Sequence, residues 1–136
     1  MSDSRSADGS VAGVERPDWW LARRAVDGDG EAASAVAILC DPLFADDWRV
    51  WSHVDDEHEA IDWAAILAEG TWSSGERVLL ALGRNLWSGG RHTAIDLTDV
   101  LGLGDRFLGL ALEAMQARRG RALLLPRHGV AGGGAS

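Results

Sequence analysis

Residues 72–88, Trp72-Ser73-Ser74-Gly75-Glu76-Arg77 through Leu86-Trp87-Ser88, constrain the fold more than any other stretch. Ser73 and Glu76 have the capping-box spacing, in which hydroxyl and carboxylate satisfy opposite ends of a first helical turn. Val78, Leu79, Leu82 and Leu86 fall on one helical face, while Leu80 and Trp87 fall on another. Only Arg77, Arg84 and Asn85 are left for water. A helix apolar on two sides must be covered twice. The spacing therefore predicts a central helix with the N-terminal residues on one side and a helix over 105–119 on the other.

The chain of 136 residues suits one domain with a shared core. Its formal charge of −8 is unevenly placed. Residues 1–72 hold 16 Asp/Glu against 5 Arg, whereas residues 73–136 hold 5 against 8. There is no lysine, so every permanent cation is a guanidinium, suited to bidentate carboxylate or phosphate contacts. The single cysteine, Cys40, excludes an intramolecular disulfide and a multi-cysteine zinc site, and reads as a core residue. No run approaches the roughly 18 apolar residues of a membrane span, and residues 1–16 lack an apolar targeting core. The expected setting is cytoplasmic, with no membrane partner.

Residues 1–16 read as a disordered arm, and residues 17–72 as an acidic, Trp-rich helical layer. Within that layer Pro17 to Val26 predicts a short helix, stopped by Asp27-Gly28-Asp29-Gly30. These four residues resemble the opening of a calcium loop, but the twelfth position falls on Ile38, so a turn is expected. Glu31 to Cys40 predicts an alanine-rich helix ended by Asp41-Pro42, with Val36, Leu39 and Cys40 inward. Phe44, Trp48 and Trp51 recur at helical spacing and read as packing, with Asp46, Asp47 and Arg49 facing away. Exposed together, Trp48, Trp51 and Trp63 would instead form a partner surface. His53 and His58 are five apart, not the four that puts two imidazoles on one helical face. Asp55, Asp56 and Glu57 between them suit the first turn of a helix, whose apolar side is Ile61, Trp63, Ile66 and Leu67.

Residues 73–126 predict a trihelical unit, and residues 127–136 a second disordered tail. Asp96 is placed to cap a helix over 97–101. Gly102-Leu103-Gly104 turns into a helix over 105–119, with Phe107, Leu108, Ala111, Leu112 and Met115 inward. Residues 92–95 and 122–125 are extended in character and are the candidate for one short β pair. This order resembles a winged helix-turn-helix unit. Such a resemblance implies that the last long helix reads DNA, with Arg91, Arg106, Gln116, Arg118, Arg119 and Arg121 as its contacts. Against it, Glu113 sits mid-face and the N-terminal half is acidic. Trp72 to Arg77, Leu86-Trp87 and Asp96-Leu97 with the closing helix resemble small uncharacterised helical proteins of actinobacteria and their phages, over about residues 62–120. That resemblance implies no activity.

Ser73, His92 and Asp96 are a chance triple without a nucleophile elbow, and a phosphate loop is impossible without lysine. The fold class expected is mainly α: a small helical domain with a C-terminal helix-turn-helix-like unit and at most one two-stranded β pair. No catalytic, metal or cofactor site is expected. The leading function is a non-enzymatic interaction or adaptor protein whose partner is a protein or a second copy. The alternatives are a DNA-binding regulator and, less favoured, a metal-dependent enzyme using His53 and His58.

Overall fold

The computed structural model describes residues 19–91 and 93–120. These form α1 (Trp20–Val26), α2 (Gly30–Leu39), α3 (Trp48–Trp51), β1 (Val54–Asp55), β2 (Ala60–Ile61), α4 (Trp63–Leu67), α5 (Ser74–Ser88), α6 (Leu97–Leu101) and α7 (Asp105–Arg118). The chain is mainly α with one short antiparallel β pair. The expected arm and tail, Pro17, His92, Arg121 and residues 122–125 lie outside the described residues. Residues 93–95 have no regular structure; the Asn85 amide donates to the carbonyl and hydroxyl of Thr93, both at 3.1 Å.

The helix at the centre is α2, not α5. Its start is set by Asp29, whose carboxylate accepts from the Ala32 N–H at 3.1 Å. Seven residues of α2 are buried, five of them small: Ala32, Ala33, Ser34, Ala35 and Ala37. Ser34 offsets the cost of burying its hydroxyl by donating to the Glu31 carbonyl at 2.9 Å. Small side chains on several faces let neighbours approach the α2 backbone closely, and α1, α5 and α7 all pack on it. At Gly30 an added Cβ would lie 2.2 Å from the Arg118 carbonyl oxygen.

The α5 helix has its capping box: the Ser73 hydroxyl accepts from the Glu76 N–H at 3.2 Å, and the Glu76 carboxylate accepts from the Ser73 N–H at 2.9 Å. It buries Leu79, Leu80, Leu82 and Gly83, and its most extensive neighbour is α2. Gly83 makes room for Trp63, whose ring would lie 2.8 Å from a Cβ there. The Trp63 indole N–H is the one buried side-chain polar atom without a hydrogen-bond partner among the described residues. The α7 helix leans more extensively on α2 than on α5, burying Leu110, Ala111, Ala114 and Ala117. The expected inward face was thus rotated by about one residue, and Leu112 is 50% exposed. One hydrophobic core takes buried residues from both halves of the described chain.

Two N-terminal readings change. The Phe44–Trp48–Trp51 stripe is broken because Asp47 starts a new helix, its carboxylate accepting from the Arg49 N–H at 2.9 Å. Phe44 is buried in the preceding turn, Val50 is the residue α3 buries, and Trp48 is 67% exposed. Residues 54–61, read as a helix start, form the β pair, with Val54 opposite Ile61. Local bonds compete with the helix here: Asp55 accepts from the His58 N–H at 3.1 Å and pairs with its ring Nδ1 at 2.7 Å. The Asp56 carboxylate accepts from the indole N–H groups of Trp19 and Trp20 at 2.9 and 2.8 Å, fixing the turn to α1. The helix begins later, capped by Asp62.

Candidate functional site

The described residues form two open grooves. The first, about 570 Å³, lies beside α3 and is lined by Pro42, Leu43, Asp46, Asp47, Trp48, Arg49 and Thr71. Asp47 and Arg49 form a forked pair, Nε to Oδ1 at 2.9 Å and Nη2 to Oδ2 at 2.6 Å. Arg49 also donates to the Thr71 hydroxyl at 2.7 Å and stacks 3.8 Å above the Trp72 ring centroid. The Arg49 hydrogen bonds hold the Asp47 carboxyl below its ordinary value against the opposing effect of burial. The second groove, about 580 Å³, lies where α5, α6 and α7 meet. Val78, Leu103 and Phe107 supply its apolar lining, with Asp99 among the polar groups. The α6 helix buries Val100 but leaves Leu97 and Leu101 61% and 64% exposed, and neither leucine lines this groove. These leucines are four apart and share one helical face.

The three tryptophans expected as a partner surface are not brought together at the surface. Trp63 is 4% exposed and belongs to the core, where it meets Trp87. Trp51 is half-buried, its indole donating to the Phe44 carbonyl at 3.0 Å. Trp48 alone is open. Of the expected nucleic-acid contacts, Arg91 and Arg118 both approach Gly89 at the end of α5, and Arg106 lies near the opposite end of α7. Arg106 pairs with Asp41 at 2.8 Å. Arg118 donates through Nε to the Leu86 carbonyl at 3.0 Å and lies 3.8 Å from Glu31, tying the end of α7 to α5 and α2. Arg91, Gln116 and Arg119 are exposed.

His53 pairs with Glu69 at 2.7 Å and His58 with Asp55, so the two imidazoles serve different carboxylates. Among the described residues no three potential ligands converge on a metal position. Ser73 and Asp96 are both helix caps, Asp96 accepting from the Thr98 N–H and hydroxyl at 2.9 and 2.6 Å. No helix among the described residues is long and apolar enough to cross a membrane. No family model, no curated protein and no solved structure matches the chain.

Sequence reasoning missed Leu97 and Leu101. Nothing in a five-residue helix says which leucine faces inward, and only the depth of Val100 resolves it. Asp29 offers a test of the local electrostatics. Burial pushes its carboxyl up, but the Ala32 N–H and the Arg24 guanidinium, bonded at 2.6 Å, outweigh it and hold the group below 3.8. A carboxylate lowered on folding stabilises the protein above its unfolded pKa, and that contribution is lost as pH falls through the folded value. Stability should therefore fall once pH drops below 3.8. Thermal melts of Asp29→Asn and Asp47→Asn should show a shallower loss there than the parent chain.

Proposed function

We propose that the protein is a non-enzymatic cytoplasmic interaction module whose partner docks on the α6 face. The observation that carries this reading is the pair Leu97 and Leu101, exposed on one face of α6, the helix whose Thr98 and Asp99 line a groove with Val78, Leu103 and Phe107. Apolar side chains exposed together on one helical face favour a partner that removes them from water. The polar surroundings select its chemistry. Asp99 lines the groove, while Asp96 and Asp105 stand at the starts of α6 and α7. The fitting occupant is an amphipathic segment of another protein, with apolar anchors and basic flanks. A photo-crosslinking residue at position 101 should capture one protein that binds the purified chain stoichiometrically, and Leu97→Ser should weaken capture. No adduct beyond that obtained at position 116 would remove the reading. An adduct of two copies of this chain would replace the partner by self-association.

A DNA-binding role is the second reading, favoured by Gln116 and Arg119, three apart and both exposed on the α7 side, and by exposed Arg91. It predicts duplex binding by fluorescence anisotropy that weakens steeply with salt and with Arg119→Ala. Absence of binding at low salt would remove it.

A further inference from the structure

The molecule twice builds the same three-part contact of indole, guanidinium and carboxylate. Arg24 lies 5.7 and 5.5 Å from the ring centroids of Trp20 and Trp87, and its Nε and Nη2 donate to Asp29 at 2.9 and 2.6 Å. Arg49 lies over Trp72 and is forked onto Asp47. Beside this second set, Trp48 and Asp46 line one groove with Pro42 and Leu43, and both are exposed. Here the indole and the carboxylate are present without a guanidinium of their own. Arg49 does not serve them: its fork is on Asp47, its third nitrogen on Thr71 and its face on Trp72.

Charge decides what such a groove accepts. Asp46 and Asp47 outnumber Arg49 within it, and Glu69 and Glu76 are near enough to act on Arg49 electrostatically. An anion meets net repulsion, and Arg49 has little left to offer it. A cation meets attraction from Asp46 and the negative face of an indole that is 67% exposed.

We propose that this groove binds an arginine side chain of a basic segment in a partner protein, with the guanidinium on the Trp48 ring, its charge toward Asp46 and its aliphatic stem along Pro42 and Leu43. The site is separate from the α6 face and stands whether or not that face has a partner. A planar guanidinium suits it because the same group fills both internal examples.

The test uses the full chain with ¹⁵N-labelled indoles, titrated with a terminally blocked peptide of arginines spaced by glycine and serine. The matched control carries citrulline, which keeps the shape and removes the charge. The indole N–H signal of Trp48, identified by its loss in Trp48→Leu, should move with the arginine peptide and stay still with citrulline. Asp46→Asn should weaken binding about two- to fivefold, the range of an exposed ion pair. Both positions are exposed, so the other indole signals should report an unchanged fold. An unmoved Trp48 signal at millimolar peptide and low salt would overturn the proposal, as would an equal response to citrulline or an Asp46→Asn chain that binds as well as the parent. A Trp48 shift that grows with protein concentration alone would assign the groove to a second copy and also overturn it.

Discussion

Gly30→Ala is expected to destabilise the protein by roughly 2 kcal/mol, although alanine is the better helix former. The new Cβ would lie 2.2 Å from the Arg118 carbonyl oxygen and 3.1 Å from its carbon. Neither atom is the end of a flexible side chain, so α2 and α7 have to separate. The two helices pack extensively, α7 buries Leu110, Ala111 and Ala114, and overpacking of this kind costs about 1–3 kcal/mol. The opposing gain in helix propensity is at most about 1 kcal/mol, and smaller in a first turn than in a helix interior. Overpacking wins. Gly109→Ala supplies the contrast, because Gly109 is an exposed position of α7 with nothing within 4 Å of an added Cβ. It should stabilise by about 0.5–1 kcal/mol. Urea or thermal unfolding followed by circular dichroism should give the two variants opposite signs. A Gly30→Ala chain as stable as the parent would mean that the close approach of the two helices is absent in solution.

Asp56→Ala should be the most damaging change on the acidic surface, at about 2–4 kcal/mol. One carboxylate oxygen accepts from both Trp19 and Trp20, 37 and 36 residues away, and each indole is 4% exposed. Removing the acceptor strips both buried indoles of this bond and frees the β1–β2 turn from α1. Asp56→Asn keeps a carbonyl oxygen in place and should lose less than half as much. Denaturant midpoints should therefore order parent, Asn and Ala, and the indole signals of Trp19 and Trp20 should shift most in the Ala variant. Equal losses for Asn and Ala would show that charge, not the acceptor, matters at this position.

The helical class was legible because long amphipathic periodicity is a strong local signal, and the α5 capping box could be read directly from Ser73 and Glu76. What could not be read was the identity of the centre. Alanine is weakly apolar on any scale, so residues 30–39 look less like a core than the leucines of 74–88 do. Yet their small volume is what allows three helices to close around them. The α3 region failed for a different reason. Asp47 and Asp55 to His58 form side-chain bonds to nearby backbone and to each other that no periodicity registers, and these break the expected helices into a turn, one short helix and a hairpin. At the surface, the charge surplus of the C-terminal half was visible as a count. Its placement was not, because Asp41, Glu31 and the Leu86 carbonyl engage Arg106 and Arg118 from distant points of the chain.

The seat of α7 on α2 also has a kinetic meaning. Gly30 and Arg118 lie at opposite ends of the described chain, and the contact between their helices closes a loop spanning nearly all of it. Local pairs such as α1 with α2 close cheaply, whereas this one carries a larger entropic cost. A nascent chain ending at Ser88 would already hold α1, α2 and α5 but not the helix that covers the remaining side of α2. Cooperative folding is therefore deferred until α7 has been made, and a chain shortened before Leu110 should expose apolar surface and aggregate.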